Sequence, residues 1–352
     1  MEYDIKYEND IERVIGCIPK VEELKEKVIL VTGASGLIGS AVSDILFYLN
    51  SKKNYNISIF LAGRNLDRIR SRFYIYKYGH DYKFCKFDGM SNEKIDIQAD
   101  YIIHCAGYSN PKAYAQFPVE TLLVNIYGLH TILECAKRNL CKRVLYVSSS
   151  EVYGSRDVEN LYSEKDYGYV DILKPRSCYP NGKRAGETLC SAFTDEYGID
   201  TVIVRPGHIY GPQITDGDDR AVAQFTRTAI AHEDIVMKSA GLQRRSYCYS
   251  LDCASAILAV LVNGKSQNAY NISNKDSIIS IKGVAEEFAK ISGRNILFKP
   301  PTESERKGYN PMSISALNSE KIESIGWKAQ FDIHEGVKRT MESYGWNNEG
   351  CN

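Results

Sequence analysis

Residues 28–49 carry the pattern that most restricts how this chain can fold. Val28-Ile29-Leu30-Val31 is an unbroken apolar run, which suits a strand buried on both faces. Thr32-Gly33-Ala34-Ser35-Gly36-Leu37-Ile38-Gly39 follows, and apolar periodicity from 37 to 49 reads as a helix. A glycine triplet alone says little. Set between a strand and a helix, it has the context of a dinucleotide-binding turn. Gly33 allows the turn, Gly36 lets backbone approach a pyrophosphate, and Gly39 lets helix and strand pack closely. The start of the helix, with Ser35, Leu37 and Ile38, offers backbone donors and partial positive charge to phosphate.

Further strands are expected at 57–62, 82–87, 101–105, 144–148 and 201–204, with helices at 121–138 and 179–197 between the later ones. Strand and helix alternate, so the expected fold class is α/β: a Rossmann-type doubly wound parallel sheet with right-handed crossovers. Beyond Pro206, Gly and Pro punctuate the chain, and helices are expected at 219–232, 250–262, 281–292 and 332–344. The domain reading is an N-terminal extension over 1–26 and a dinucleotide-binding domain over 27–205 and about 246–269. A smaller C-terminal substrate lobe takes 206–245 and about 270–345, over the carboxyl edge of the sheet where open α/β sheets bind ligands.

Composition narrows the function classes. Net charge is zero across 352 residues, which argues against a large nucleic-acid footprint. No run of about 18 apolar residues occurs, so no membrane span is expected, and residues 1–10 lack the apolar core of a secretory signal. Ten cysteines show no Cys-x-x-Cys spacing, and Cys105, Cys135, Cys190 and Cys253 lie in apolar runs, as reduced cytoplasmic thiols do. The six histidines have no paired ligand spacing, so no metal is expected.

The remaining cofactor contacts are read from strand ends. The second strand ends Leu61-Ala62-Gly63-Arg64-Asn65, without the acidic residue that takes the ribose hydroxyls of NAD. Arg64 suits a 2′-phosphate, so NAD and NADP both stay open. Asp88, with Gly89, follows the third strand and can accept from the adenine amino group. Cys105, Ala106 and Gly107 follow the fourth and leave room for the cofactor to pass. Asn125 is polar on an apolar helix face and either holds active-site backbone or is purely structural. Ser148 and Pro206, at the ends of later strands, complete the cofactor set.

Tyr179 and Lys183 are four residues apart and share one helix face. An ammonium beside a phenol favours the phenolate and lowers its pKa, making a base near neutral pH. The same spacing occurs at 48/52, 82/86 and 108/112, so spacing alone decides nothing. Only the 179/183 pair lies downstream of a serine-ended strand, Ser148-Ser149-Ser150-Glu151. Ser149 or Ser150 can hold the oxygen that Tyr179 deprotonates, and Glu151 adds a carboxyl group that simple alcohol oxidation does not need.

Taken together, 27–345 resembles the extended short-chain dehydrogenase/reductases, the NAD-dependent epimerase/dehydratase family that acts on nucleotide sugars. The resemblance rests on the glycine loop, His104-Cys105-Ala106-Gly107, the 148–154 segment, Tyr179/Lys183, and Arg205-Pro206-Gly207-His208-Ile209-Tyr210-Gly211-Pro212. Ser109-Asn110-Pro111-Lys112-Ala113-Tyr114 and Pro175-Arg176-Ser177-Cys178-Tyr179 look closest to UDP-glucuronate decarboxylases. The resemblance implies transient C4 oxidation by Tyr179, proton management at C5 by Glu151, and return of the hydride. It also implies substrate contacts from Arg220, Arg245, His208 and Tyr108, with Arg245 on the nucleotide diphosphate, where a guanidinium fork suits phosphate. A homodimer through the 121–138 and 179–197 helices is implied as well.

Three departures stand out: His208 where decarboxylases usually carry Asn, Gln213 where they carry Arg, and Gly63-Arg64-Asn65 where they carry Asp-Asn. All three are expected to touch substrate or cofactor. A 4-epimerase remains open. A 4,6-dehydratase is disfavoured because Ser150 stands at its Asp position. The non-enzyme alternative is a dinucleotide-sensing scaffold, against which the retained Tyr and Lys speak.

Overall fold

The computed structural model describes residues 5–91, 93–156, 160–307, 309–310 and 312–346. Its centre is a seven-stranded parallel sheet. The strands are β1 (Val28–Thr32), β2 (Ser58–Gly63), β3 (Lys83–Lys86), β4 (Tyr101–His104), β5 (Arg143–Val147), β6 (Thr201–Pro206) and an edge strand, Asn268–Ile272. Their spatial order runs edge strand, β6, β5, β4, β1, β2, β3. Chain direction across the sheet therefore reverses between β1 and β4, and a crevice opens there at the carboxyl ends. Register brings those ends level: Thr32 pairs with Ala62 on one side and His104 on the other.

Alternation along the strands builds two cores. Ile29, Val31, Ile103, Leu145 and Val204 face one cluster with the helices Leu37–Lys53 and Ser250–Asn263. Leu30, Ile102, Val144, Tyr146 and Ile203 face the other, with Leu129–Arg138 and Cys178–Tyr197. Both faces are covered, which explains the continuous apolar strands. The edge strand runs to Ile272, past the boundary expected near 269.

The smaller lobe is built on Arg244–Tyr249. This strand pairs with Ile278–Ser280 antiparallel, and with His208–Tyr210 and Ile314–Ser315 in parallel. Helices Ala221–Ile230, Ile281–Ser292 and Ile333–Glu342 complete it.

Two expectations need correction. The single helix expected at 121–138 is interrupted. Pro118–Leu123 leads into a π-turn, Val124–Gly128, and only then into Leu129–Arg138. Asn125 sits inside that turn and its Nδ2 donates to Thr121 O at 2.7 Å. Such insertions re-aim one side chain and often mark functional positions. The second correction concerns Gln213. It is buried and spent on internal contacts: its Oε1 accepts from Ser250 Oγ at 2.6 Å, and its Nε2 donates to Tyr7 Oη. Tyr7 in turn donates to Asp44 Oδ2 at 2.7 Å, and Arg72 meets the same oxygen at 2.6 Å. Asp44 thus draws its cation from Arg72, and a second guanidinium at position 213 is not needed. Tyr7 comes from helix Ile5–Ile15, so the N-terminal extension is packed into the main core.

Candidate active site

One cleft of about 590 Å³ runs over the carboxyl ends of the strands. At its floor the glycine turn contributes Gly33, Ser35, Gly36, Leu37, Ile38 and Gly39. A Cβ on Gly33 would fall 2.8 Å from Ala106 N, and one on Gly39 would fall 2.4 Å from Gly33 O. Only glycine lets β1, β4 and the helix start come this close, and the crowded backbone leaves a smooth cradle. This chain therefore fits a dinucleotide pyrophosphate on its own geometry. Arg64, Asp88, Gly89, Cys105, Ala106, Gly107 and Tyr108 line the same cleft from the ends of β2, β3 and β4.

The other end is formed by Ser148, Ser149, Ser150, Glu151, Tyr179, Lys183, Pro206, His208 and Arg220. Tyr179 and Lys183 lie on the first turns of Cys178–Tyr197 and are both buried. Lys183 Nζ donates to Val147 O at 2.8 Å, which fixes the helix against the end of β5. It stands 5.9 Å from the centroid of the Tyr179 ring. Burial pulls the Lys183 ammonium down to about 8.

Sequence left Ser149 and Ser150 equivalent; geometry separates them. Ser149 is among the groups that pull the Tyr179 phenol down, and its Oγ accepts from Glu151 N at 3.2 Å. Ser150 Oγ instead accepts from Ser315 Oγ of the smaller lobe at 3.3 Å. Glu151 pairs with Arg176 at 2.9 Å, both side chains largely buried.

The expected lowering of the Tyr179 phenol is not what these groups produce. Burial, then the charge of Glu151, raises it above the ordinary phenol range, while hydrogen bonds from Ser149 and Tyr114 and the charge of Arg176 pull it back. Lys183 does not dominate because its own charge is destabilised by burial and held against the Val147 carbonyl.

Two expected residues stand off the cleft lining. Asn125 is buried behind it, with Oδ1 lacking a partner and lying 3.3 Å from where a Cβ on Gly107 would sit. Arg245 is buried in the smaller lobe and donates to Met312 O at 2.7 Å, Arg244 O at 2.9 Å and Ser313 O at 3.3 Å. A guanidinium turned onto three carbonyls does not present the fork expected for a diphosphate. Arg220 does line the cleft, clamped by Asp218 at 2.5 Å with a further bond to Ile209 O at 3.1 Å. His208 keeps Nδ1 unpartnered, and burial with the charges of Arg245 and Arg220 holds its pKa well below the ordinary range, so it is neutral.

Sequence reading missed Arg68, Tyr114, Arg176 and Glu187. Arg68, on the helix Leu66–Arg72 that follows Arg64, also lines the cleft. Tyr114, Arg176 and Glu187 act through contacts between distant segments, which carry no local pattern.

A model of the NAD dependent epimerase/dehydratase family matches residues 29–273. The chain belongs to that family. It is 29% identical over 334 residues to UDP-glucuronic acid decarboxylase 1 of Xenopus tropicalis, spanning 93% of this chain and 75% of that protein. It is 30% identical to UDP-glucuronic acid decarboxylase 6 of Arabidopsis thaliana, over 90% of this chain and 88% of that one. Among solved structures it is similar to the dTDP-glucose 4,6-dehydratase DesIV of Streptomyces venezuelae with NAD and TYD bound. There the TM-score is 0.75 at 22% identity, covering 92% of this chain and 98% of that chain. The family is one of enzymes.

Proposed function

We propose that this chain modifies a nucleotide sugar through transient oxidation at C4, in the manner of a UDP-glucuronate decarboxylase. One cluster carries the proposal: Tyr179 with Ser149 and Glu151, which act on its phenol, together lining the cleft that begins at the glycine turn. Tyr179 takes the C4 hydroxyl proton and Ser149 orients that hydroxyl. A bound nicotinamide supplies the hydride acceptor. Once C4 is a ketone, a C6 carboxylate is a β-keto acid and loses CO2 readily. Glu151, steadied by Arg176, handles the proton at C5. Arg220 offsets substrate negative charge.

Mass spectrometry after incubation with UDP-glucuronate, UDP-glucose, UDP-N-acetylglucosamine and dTDP-glucose tests this reading. Loss of CO2 from UDP-glucuronate is the expected result. Loss of water from dTDP-glucose, or an unchanged mass with new NMR couplings, would reassign the reaction. Glu151→Gln separates the steps. Its overall turnover is expected to fall about 10²-fold or more, with the 4-ketone of the sugar accumulating. Normal product formation by this variant would remove Glu151 from the mechanism.

The adenosine end supports acceptance of NADP. Arg64 and Arg68 line it, no carboxylate follows β2, and Asn65 Oδ1 is spent on the amides of Asp67 and Arg68 at 2.7 and 3.2 Å. Charge-assisted bonds of this kind are worth about 1.5–3 kcal/mol. Arg64→Ala with Arg68→Ala should weaken NADP about 10–100-fold and leave NAD nearly unchanged, as read by fluorescence titration. Equal affinity of the wild type for both dinucleotides, unmoved by the substitutions, would sink the 2′-phosphate site.

A homodimer is proposed across Leu129–Arg138 and Cys178–Tyr197, with exposed Val119 and Tyr127 alongside. Analytical ultracentrifugation tests it. All nine described cysteines are free, which supports a reducing, cytoplasmic setting. Among the described residues no helix is long and apolar enough to cross a membrane.

A further inference from the structure

Tyr114 sits on the short helix Pro111–Gln116, capped by Asn110 Oδ1 accepting from Ala113 N at 2.9 Å. The helix is tied to the smaller lobe by Lys112 N donating to Asp219 Oδ2 at 3.1 Å. Tyr114 is only 4% exposed, yet it lines the cleft. Its ring stacks on that of Tyr179, with centroids 4.5 Å apart and planes at 22°. The Tyr114 hydroxyl is among the groups that pull the Tyr179 phenol down. The Arg176 guanidinium stands 4.6 Å from the Tyr114 ring centroid while pairing with Glu151. Two buried phenols in register, with a cation over one of them, serve no packing need that two phenylalanines would not meet more cheaply.

We propose that Tyr114 is a positioning residue for the base, donating its hydroxyl to the Tyr179 oxygen and fixing the plane in which that oxygen meets the sugar. The inference rests on Tyr179 being the base. A hydrogen bond to the charged form of a group favours that form, and a bond to an oxyanion is shorter and stronger than a neutral one. The cation near the Tyr114 ring draws on its π-electrons and makes its hydroxyl a better donor. Burial and the charges of Tyr179 and Glu151 keep Tyr114 protonated far above the usual phenol range, so it remains a donor while Tyr179 ionises.

The groups facing the pair come from every side. Ser149 and Glu151 follow β5, Arg176 precedes the helix Cys178–Tyr197, Cys178 and Lys183 lie on it, and Arg220 with Asp218 reaches over from the smaller lobe. Glu151 opposes ionisation of Tyr179, while Arg176 favours it. Tyr114 and Ser149 supply the neutral donors, and Tyr114 also sets the ring plane.

The test is an ultraviolet difference titration of the full chain with dinucleotide bound. Wild type minus Tyr179→Phe isolates the ionisation of Tyr179, and the same subtraction is made in a Tyr114→Phe background. No sugar is needed, so the result stands apart from the identity of the substrate. The Tyr179 midpoint is expected to rise by about one pH unit without the Tyr114 hydroxyl. The acid limb of turnover should move with it, with kcat falling about tenfold at neutral pH and KM little changed. An unmoved midpoint in folded Tyr114→Phe would overturn the inference. So would a wild-type midpoint in Tyr114→Phe with a displaced one in Tyr114→Leu, since stacking alone would then be at work.

Discussion

Tyr179→Phe is expected to cost turnover about 10²–10⁴-fold, the range for loss of a positioned general base. Dinucleotide affinity should stay within about twofold, because the phosphate cradle at 33–39 lies at the other end of the cleft and a phenyl ring preserves the stack on Tyr114. The combination is diagnostic. A structural role would reduce binding and stability together, whereas a base removes only the proton transfer. Steady-state kinetics with cofactor-binding titration on the same preparation decides it. Turnover within a few-fold of wild type would assign the base elsewhere.

The largest stability effect is expected at Glu187, a residue on no surface of the reaction. Glu187 Oε1 accepts from Ser148 Oγ at 2.5 Å and from Arg205 Nε at 2.9 Å, and Oε2 accepts from Arg205 Nη2 at 2.6 Å. Arg205 is 2% exposed and donates on to Tyr153 Oη at 3.1 Å and Glu164 O at 3.0 Å. Tyr153 continues to Asn271 Oδ1 at 2.5 Å on the edge strand. One carboxylate therefore joins the helix Cys178–Tyr197 to the ends of β5 and β6. Glu187→Ala leaves a buried guanidinium without its counter-charge, a loss of about 3–5 kcal/mol. Urea unfolding should show this, with Glu187→Gln losing less because a neutral acceptor remains. A loss below about 1 kcal/mol would mean that water or a neighbour replaces the carboxylate.

What could be read in the sequence, and what could not, divides along the range of the interaction. The turn at 33–39 was legible because strand, glycines and helix are consecutive, and close approach leaves only glycine as a choice. Tyr179 and Lys183 were legible because one helical turn brings them together. Arg245 was placed by its motif, but its guanidinium faces Met312, Ser313 and Arg244, and side-chain direction depends on a strand pairing far along the chain. Ser149 and Ser150 could not be separated by sequence, because the partner that claims Ser150 is Ser315 in the smaller lobe. Gln213 read as a ligand-side departure, yet it closes a buried contact with a helix more than 190 residues earlier in the chain. The π-turn around Asn125 was not legible, because such an insertion depends on the packing around the helix and carries no residue signature of its own.

A nucleotide sugar carrying deuterium on C4 gives the most direct measurement. Within a single turnover on the dinucleotide-loaded enzyme, quenched while the 4-keto sugar is still bound, label should be found in the nicotinamide ring of the bound cofactor, before the hydride returns to C4. Tyr179→Phe should leave that label on the sugar. Product formed by the wild type with no deuterium on the nicotinamide at any quench time would contradict C4 oxidation and the role given to Tyr179.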